Sequence, residues 1–270
     1  MNCPICGSPG LRMPNHPEVE LHRCAKCSHA FSRADSIAQP ERYGSSYYEV
    51  DHKRWFEHPN LALFARVASF IPLGASVLDV GCGRGDFLRF ARNSRPDLRL
   101  AGIDIAKNDE SSDGVRFLQG DIFQMDADEH FDAIVSLAVI EHVADVTAFV
   151  RKLRELMKPR AIAAVMTLND SSLLYGLARA GRRLGVPLAF NRLYSKHHLH
   201  HFTPRSLRTL FREQGFSVRT QFSHDAPIEA MDIPVESEAA GAVLRLGLRI
   251  VWTAGRTTDR GYLQTVICER

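Results

Sequence analysis

Short apolar runs alternate with amphipathic segments along most of the chain from residue 61 onward. Segment 61–71 repeats its apolar positions at helical spacing and stops at Pro72. The run 76–80 is short, apolar and bounded by glycines, which predicts a buried strand of a parallel sheet. Further strands are predicted over 98–105, 115–119, 131–137, 161–168, 216–222 and 262–268, and helices from 87 and over 144–157, 173–184, 204–214 and 234–254. Seven strands that alternate with helices predict an α/β fold with a doubly wound, mostly parallel sheet.

Three glycines at alternate positions separate the strand predicted over 76–80 from the helix predicted from residue 87. They are Gly81, Gly83 and Gly85. Glycine accepts positive φ and lets a ligand approach the backbone, while the free N–H groups of the helix start face the same ligand. The dinucleotide fingerprint G-x-G-x-x-G would need a further glycine where this chain has Asp86. Asp79, before the first glycine, suits a ligand with a cationic amino group. An ordinary tight strand-to-helix turn is the alternative interpretation.

The stretch V-L-D-V-G-C-G-R-G at residues 77–85 resembles motif I of the class I S-adenosylmethionine-dependent methyltransferases. The resemblance covers about residues 61–223 and the last strand. It implies a Rossmann-like sheet whose last strand is antiparallel to the others. It also implies an S-adenosylmethionine site, for which the candidate residues are Asp79, Gly81, Cys82, Gly83, Gly85, Asp104, Ile105, Asp121, Ile122 and Leu137.

Two acidic residues close the second and third predicted strands. Asp104 can accept hydrogen bonds from ribose hydroxyls, as acids at this position do in nucleotide-binding α/β folds, although a turn-capping aspartate is the simpler alternative. In the resembling family, the acid at the position of Asp121 bonds the adenine amino group. The next apolar residue, here Ile122, packs on the adenine ring.

Two C-x-x-C pairs lie near the N-terminus, at Cys3, Cys6, Cys24 and Cys27. The seventeen residues between Cys6 and Cys24 match the spacing of four-cysteine zinc sites. Four thiolates close a tetrahedral structural site, so no catalysis is expected there. We therefore predict a zinc-ribbon lobe over residues 1–40, followed by a methyltransferase domain over 41–270. A disulfide and a redox C-x-x-C motif are the alternatives.

The connector 28–60 carries aromatic residues, among them Tyr47, Tyr48 and Trp55. In related methyltransferases such a segment closes over the cofactor or the acceptor. An equally good interpretation is that these aromatic residues attach the cysteine-containing lobe to the main domain.

Residues 169–202 form an insertion after the fifth strand, and we predict a helical lid there because α/β folds bind ligands at this edge. The stretch H-L-H-H-F-T-P-R-S-L at 198–207 resembles the lid-to-helix junction of methyltransferases that act on sugars, quinones or secondary metabolites. Histidine can take the proton of a hydroxyl acceptor near neutral pH, so His200 and His201 are the first candidates for a catalytic base. Glu141 and His142 either face the site or cap and position the following helix. Tyr47 and Tyr48 are the last alternative.

Composition adds few constraints. The chain has 270 residues, 45% of them hydrophobic and 24% charged, which is ordinary for a globular protein with one α/β domain and a small lobe. A net charge of +3 does not by itself require a nucleic-acid partner. No run approaches the roughly 18 apolar residues of a membrane span, and no signal-peptide core is present. A cytoplasmic protein is therefore expected, and its oligomeric state is left open.

These observations predict an enzyme of biosynthesis that transfers a methyl group from S-adenosylmethionine to a small-molecule acceptor, first of all to a hydroxyl. One alternative is an RNA methyltransferase, because zinc ribbons also bind RNA. The basic residues of this chain are scattered along the sequence, however, and the lobe has few aromatic residues on which RNA bases could stack. The other alternative is a non-catalytic cofactor-binding module, and the three acids retained at the cofactor positions argue against it.

Overall fold

A computed structural model describes residues 1–32, 53–106, 114–126, 128–232 and 237–270. Up to residue 104 its elements are β1 (Gly10–Arg12), β2 (His22–Cys24), β3 (Ala30–Phe31), α1 (Lys53–Glu57), α2 (Leu61–Ala68), β4 (Ser76–Val80), α3 (Asp86–Ser94) and β5 (Arg99–Asp104). The later elements are β6 (Val115–Gln119), β7 (Phe131–Leu137), α4 (Val146–Glu155), β8 (Met157–Leu168), α5 (Leu173–Arg183), α6 (Leu188–Leu193), β9 (His200–His201), α7 (Pro204–Glu213), β10 (Ser217–His224), α8 (Glu238–Thr257) and β11 (Leu263–Glu269).

Seven strands form the central sheet, in the order β10-β11-β8-β7-β4-β5-β6. The strands β8, β7, β4, β5 and β6 are parallel, while β11 lies antiparallel between β8 and β10. The prediction of a doubly wound, mostly parallel sheet is therefore confirmed, including the antiparallel last strand. The strand order reverses between β4 and β7, and in such sheets ligands bind beside the carboxyl ends of the strands at that point.

The core consists of two apolar clusters, one on each face of the sheet. Successive residues of a strand point to opposite faces, so Leu78 packs toward α4 and α7 whereas Val77 packs toward α2 and α3. Both side chains are fully buried. Burial on both faces explains why β4 is apolar after Ser76 at its partly exposed start, and why the buried Asp79 needs a separate explanation.

A second sheet joins the N-terminal lobe to the predicted lid. Its order is β1-β2-β3-β9, and its fourth strand, β9, follows β3 by about 170 residues in the chain. Ala30 pairs with His201, and Phe31 pairs with His200. The sequence pattern does not predict β9, because two residues are too few to display a strand period. The lobe is consequently anchored to the main domain by backbone hydrogen bonds.

Several boundaries differ from those the sequence predicts. The sequence predicts a helix up to residue 157 and a strand from residue 161, but β8 begins at Met157 and includes Pro159. The pairing of β8 with β7 is irregular in this region, which explains how the sheet accommodates a residue without an N–H group. The lid contains two helices, α5 and α6, and the helix predicted over 234–254 is α8. Tyr47, Tyr48 and the proposed boundary at residue 40 lie outside the described residues.

Within the described ranges, no helix combines the length and the apolar character that crossing a bilayer requires.

Candidate functional site

The turn after β4 is built from glycines in the left-handed region. Gly81, Gly83 and Gly85 have φ values of +70°, +51° and +79°. A Cβ atom added to Gly81 would lie only 2.3 Å from the Val139 Cγ2 atom. The Gly81 N–H donates to the Ile103 carbonyl over 2.8 Å, which holds the turn against β5. The turn is therefore tight for a steric reason, and it brings the N-terminus of α3 to the carboxyl edge of the sheet.

Asp79 is almost completely buried at this edge, with 3% of its surface exposed. Burial raises its pKa to about 8, and the nearby carboxylates of Asp104 and Asp86 add to the effect. A buried carboxyl group with a raised pKa is stabilised as an anion by an adjacent cation. The site therefore favours a ligand that places a positive group beside Asp79, as the sequence predicts.

Asp104 connects the end of β5 to the glycine turn. Its Oδ2 atom accepts a hydrogen bond from the Gly83 N–H and its Oδ1 atom one from the Ala106 N–H, each over 2.8 Å. Burial raises the pKa of Asp104, while these two backbone hydrogen bonds oppose the increase. Ile105 follows with 43% of its surface exposed, which leaves an apolar side chain available beside the turn.

Asp121 lies at the end of β6 and caps a short 3-10 helix, accepting a hydrogen bond from the Phe123 N–H over 3.0 Å. Ile122 is buried beneath it, and Leu137 is half-buried at the end of β7. Because β7, β4, β5 and β6 are neighbours in the sheet, all ten predicted cofactor residues lie at one edge, on the ends of four adjacent strands.

Glu141 lies beyond β7 at the same edge and is 2% exposed. Its Oε2 atom accepts a hydrogen bond from the Thr167 hydroxyl over 2.8 Å. Burial raises its pKa to about 7. Its backbone carbonyl accepts from the N–H groups of Leu199 and His200 over 2.8 and 3.1 Å. Glu141 therefore stands where the main sheet meets the lid, and its side chain changes charge near neutral pH.

The run 197–201 contains four histidines, called the histidine cluster, and His142 contacts its half-buried members His197 and His198. Its Nδ1 atom lies 2.6 Å from the His197 carbonyl oxygen, and its ring lies 4.9 Å from the His198 ring. Neither Glu141 nor His142 caps α4, because Asp145 accepts the hydrogen bonds from the first N–H groups of that helix. The capping interpretation of these two residues is wrong, whereas a positioning role is compatible with the structure.

His200 and His201 are buried between the lobe and the lid. The His200 ring lies between His29, at 3.1 Å, and the Val143 carbonyl, at 3.0 Å. The His201 Nδ1 atom lies 3.1 Å from the Tyr175 hydroxyl. Burial lowers the pKa of His200 to about 4 and that of His201 to about 3, so both rings are neutral at physiological pH. This environment favours a packing role, and their action as a base stays a prediction.

The four cysteines of the two C-x-x-C pairs converge in the lobe. Their sulfur atoms all lie within 4.8 Å of one another, with Cys3–Cys27, Cys6–Cys24 and Cys6–Cys27 separations of 3.6, 3.5 and 3.7 Å. All six cysteines of the chain are free thiols, so the disulfide alternative is not supported. Zinc–sulfur bonds of about 2.3 Å at tetrahedral angles place the sulfurs about 3.8 Å apart. The donor set and its spacing therefore fit a tetrahedral metal ion.

Sequence reasoning missed a charged cluster between the lobe and the lid. Asp170, 1% exposed at the end of β8, accepts hydrogen bonds from Arg23 of the lobe and Arg179 of α5. The Tyr194 hydroxyl also donates to Asp170 and accepts from both arginines. The available signal was the polar run N-D-S-S directly after an apolar strand. Its arginine partners, far away in sequence, could not be inferred.

Comparisons with known proteins agree with this geometry. A family model described as "Methyltransferase domain" matches residues 52–221. The ubiquinone biosynthesis O-methyltransferase of Azorhizobium caulinodans is 36% identical over 118 residues, which are 40% of this chain and 46% of that protein. The corresponding enzyme of Rickettsia prowazekii is 31% identical over 120 residues, 40% of this chain and 47% of that protein. The chain thus spans about half the length of the curated relatives it matches.

Two solved structures share the fold. The Burkholderia thailandensis 1,6-didemethyltoxoflavin-N1-methyltransferase, solved with its substrate and S-adenosylhomocysteine, has a TM-score of 0.56 and 12% identity, covering 96% of this chain and 98% of that one. An S-adenosylmethionine-dependent methyltransferase from Archaeoglobus fulgidus has a TM-score of 0.55 and 18% identity, covering 83% and 99% of the two chains. At these identities the likeness concerns the Rossmann-like methyltransferase fold.

Proposed function

We propose that this chain transfers a methyl group to a hydroxyl group of a small molecule. The chain belongs to the methyltransferase-domain family and is an S-adenosylmethionine-dependent methyltransferase. A quinone is the first candidate, and a sugar or another secondary metabolite is the next. The observation that carries the proposal is the similarity to ubiquinone biosynthesis O-methyltransferases. That similarity covers 40% of the chain, so a quinone acceptor is proposed for this chain and does not follow directly from the relatives.

In this proposal the residues of the sheet edge hold the cofactor. Asp79 pairs with the cationic amino group, Asp104 accepts from the ribose hydroxyls, and Asp121 bonds the adenine amino group. The side chains of Ile105, Ile122 and Leu137 pack against the adenine ring, and the turn containing Gly81, Cys82, Gly83 and Gly85 allows the ligand to approach the backbone. The bound cofactor supplies an electrophilic methyl carbon on a sulfonium. The chain must then mainly align the acceptor and exclude water.

We assign to Glu141 the role of the base that removes the proton from the acceptor hydroxyl. Its carboxylate lies at the carboxyl edge of the sheet, next to the lid, and its pKa of about 7 suits a base that works near neutral pH. His142, whose Nδ1 atom contacts the His197 carbonyl, is the second choice. The buried pair His200 and His201 then supports the lid instead of touching the acceptor.

We also propose that one zinc ion binds to Cys3, Cys6, Cys24 and Cys27. Three of these residues are buried, and all four thiolates point at one position. Four protein ligands leave no open coordination position, so the ion would stabilise the lobe without taking part in methyl transfer. The pairing of β3 with β9 supports this structural role, because it commits one edge of the lobe to the lid rather than to RNA.

The deciding experiment incubates the protein with methyl-labelled S-adenosylmethionine and a panel of acceptors. The panel contains catechols and hydroquinones, sugars, and a structured RNA, and label transfer is followed by mass spectrometry. Label on a hydroxyl of the first two classes supports the proposal. Transfer to RNA alone, or to nitrogen or carbon atoms alone, contradicts it.

A further inference from the structure

Thr167 lies one residue before the end of β8, in the interior of the central sheet. Its strand is flanked by β7 on one side and by β11 on the other, and Thr167 itself pairs with Gln264 of β11. The side chain is fully buried. Because threonine is branched at Cβ and the strand is held on both sides, the position of its hydroxyl oxygen is restricted. The sheet therefore fixes one polar group close to its carboxyl edge.

That hydroxyl group contacts the carboxyl group of Glu141, which is buried as well. The Thr167 Oγ1 atom donates to the Glu141 Oε2 atom over 2.8 Å. The pairing of β7 with β8 extends to Leu137 opposite Met166, and the chain then turns at Ala138, whose φ is +59°. The hydrogen bond therefore joins the turn after β7 to the end of β8.

The backbone of Glu141 is held from another direction. Its carbonyl accepts the N–H groups of Leu199 and His200, where the lid leads into β9. With its backbone held by the lid and its carboxyl group held by β8, the side chain has little freedom to rotate. A base contributes to catalysis only when it is oriented toward the proton it removes, so this restraint has a chemical consequence.

Thr167 also affects the charge of Glu141. Burial raises the pKa of Glu141 to about 7, while hydrogen bonds from its own N–H and from the Thr167 hydroxyl act in the opposite direction. A hydroxyl donor stabilises the ionised carboxylate more than the protonated carboxyl group. Without this donor, Glu141 would remain protonated to a higher pH.

The other titratable side chains that interact with Glu141 are the tyrosines Tyr175 of α5 and Tyr262, next to β11. Burial raises the pKa of both phenols, so they stay neutral at physiological pH. His201 of β9 lies 3.1 Å from the Tyr175 hydroxyl, and burial lowers its pKa to about 3, which keeps it neutral too. His142, the next residue of the chain, directs its Nδ1 atom to a backbone carbonyl of the lid. A change in the hydroxyl donor of β8 should therefore act on Glu141 directly.

We propose that Thr167 is a positioning residue for the base of methyl transfer. It fixes the carboxyl group of Glu141 at the carboxyl edge of the sheet and favours its ionised form. The inference deepens the proposed function and rests on the role of Glu141 as the base. The ionisation of Glu141 can nevertheless be measured without any methyl transfer, which separates the two.

The first measurement is the pKa of Glu141 in the full chain, by carbon-13 NMR with labelled glutamate and the signal assigned by its loss in Glu141→Gln. Thr167→Val loses the hydroxyl and keeps a β-branched side chain, so this pKa should rise by about one pH unit. Thr167→Ser retains a donor and should stay near the parent. Thr167→Ala removes the same donor if valine prevents folding, which circular dichroism detects. The control Thr265→Val removes another fully buried hydroxyl, which contacts His224 in β10, and should leave Glu141 unchanged.

The second measurement is the pH dependence of kcat for methyl transfer to a catechol. In Thr167→Val the increase of the rate with pH should move upward with the pKa, so kcat falls about fivefold at pH 7 and little above pH 9, while cofactor affinity is retained. Thr167→Ser should restore the parent profile.

An unchanged pKa of Glu141 in Thr167→Val, or an equal increase in Thr265→Val, would overturn the inference whatever the reaction is. A pKa that rises while the pH profile of kcat stays in place would contradict Glu141 as the base, and the positioning role would fail with it. Absence of transfer to catechol by the parent chain would contradict the proposed acceptor alone, and the NMR comparison would still decide on Thr167.

Discussion

The guanidinium of Arg23 donates two hydrogen bonds to the carboxylate of Asp170, over 2.6 and 3.1 Å. Arg23 belongs to β2 of the lobe, and Asp170 follows β8 of the main sheet, where the lid begins. The bidentate geometry fixes both distance and orientation. Together with the pairing of β3 and β9, this ion pair makes the lobe a support for the lid.

Replacing Arg23 by Ala should lower the free energy of unfolding by about 1–3 kcal/mol, because it leaves a buried carboxylate with fewer donors. The loss is smaller than for an isolated buried pair, since Arg179 still contacts Asp170 and Arg23 is partly exposed. Urea denaturation measures the change. The control Arg12→Ala removes an exposed arginine paired with Glu20 and should have almost no effect. Equal stabilities of the two variants would contradict the supporting role of the lobe.

Metal analysis of protein purified without a metal-binding tag should find one zinc ion per chain. Cys27→Ser should lose the metal, because it removes one of four thiolate ligands. Cys82→Ser, which changes the thiol of the glycine turn and not one of the four clustered thiols, should retain the metal. Chelation should also increase amide hydrogen exchange in β9, since β9 pairs with a strand of the metal lobe. Less than about half an equivalent of metal would remove the basis for a zinc site.

Asp104→Ala should weaken S-adenosylmethionine binding by about 1–3 kcal/mol, because the ribose hydroxyls lose their acceptor and the glycine turn loses a hydrogen bond. Titration calorimetry determines the affinity. Asp128→Ala, which removes an exposed carboxylate, is the matched control. An unchanged affinity in the Asp104 variant would mean that the ribose binds elsewhere.

Binding of S-adenosylmethionine should become weaker as the pH falls below about 8, the pKa to which burial raises Asp79 in the free protein. Below this pH the carboxyl group is protonated, and it must release its proton to pair with a cationic ligand group. Calorimetry in buffers of different ionisation enthalpy counts the released protons. Asp79→Asn cannot ionise and should bind weakly at every pH. A parent chain that shows no proton release would exclude this pairing.

Glu141→Gln should lower kcat by about 10²–10⁴-fold while cofactor affinity is retained, since the amide cannot accept the acceptor's proton. In the parent enzyme the rate should increase with pH through about 7, because only the ionised carboxylate acts as a base. Glu155→Gln changes an exposed glutamate and should behave like the parent. If Glu141→Gln retains full turnover, the base must be sought at His142 or in the histidine cluster.

His200→Ala should reduce stability by about 1–3 kcal/mol through the loss of its contacts with His29 and Val143. The pKa of His200 is lowered from 6.5 to about 4, so the unfolded chain takes up a proton first as the pH decreases. Stability should therefore decline between these two values in the parent, and less so in the variant. His130→Ala, at an exposed position, is the control. If the His200→Ala variant is folded but has lost turnover, the catalytic base lies in the histidine cluster and not at Glu141.

Local patterns in the sequence determined the sheet, the glycine turn and the cysteine donor set. Strand and helix periods, the alternating glycines and the C-x-x-C pairs depend on residues that are close in the chain, so their physical requirements are visible in the sequence. The acids Asp79, Asp104 and Asp121 could be assigned to the site for the same reason, since each lies at or directly after the end of a predicted strand. Parallel strands then bring these ends together without further information.

The histidine cluster illustrates what only the tertiary structure decided. Residues 197–201 contain four histidines among five residues. From the sequence alone, we expect such a polar run to be accessible to solvent and able to act as a base. Pairing of β9 with β3, some 170 residues away, buries His200 and His201 and makes them neutral. The docking of the lobe against the lid also gives Asp170 its partner Arg23, which lies 147 positions earlier in the chain. Burial and partner choice depend on contacts between distant segments, which no local pattern encodes.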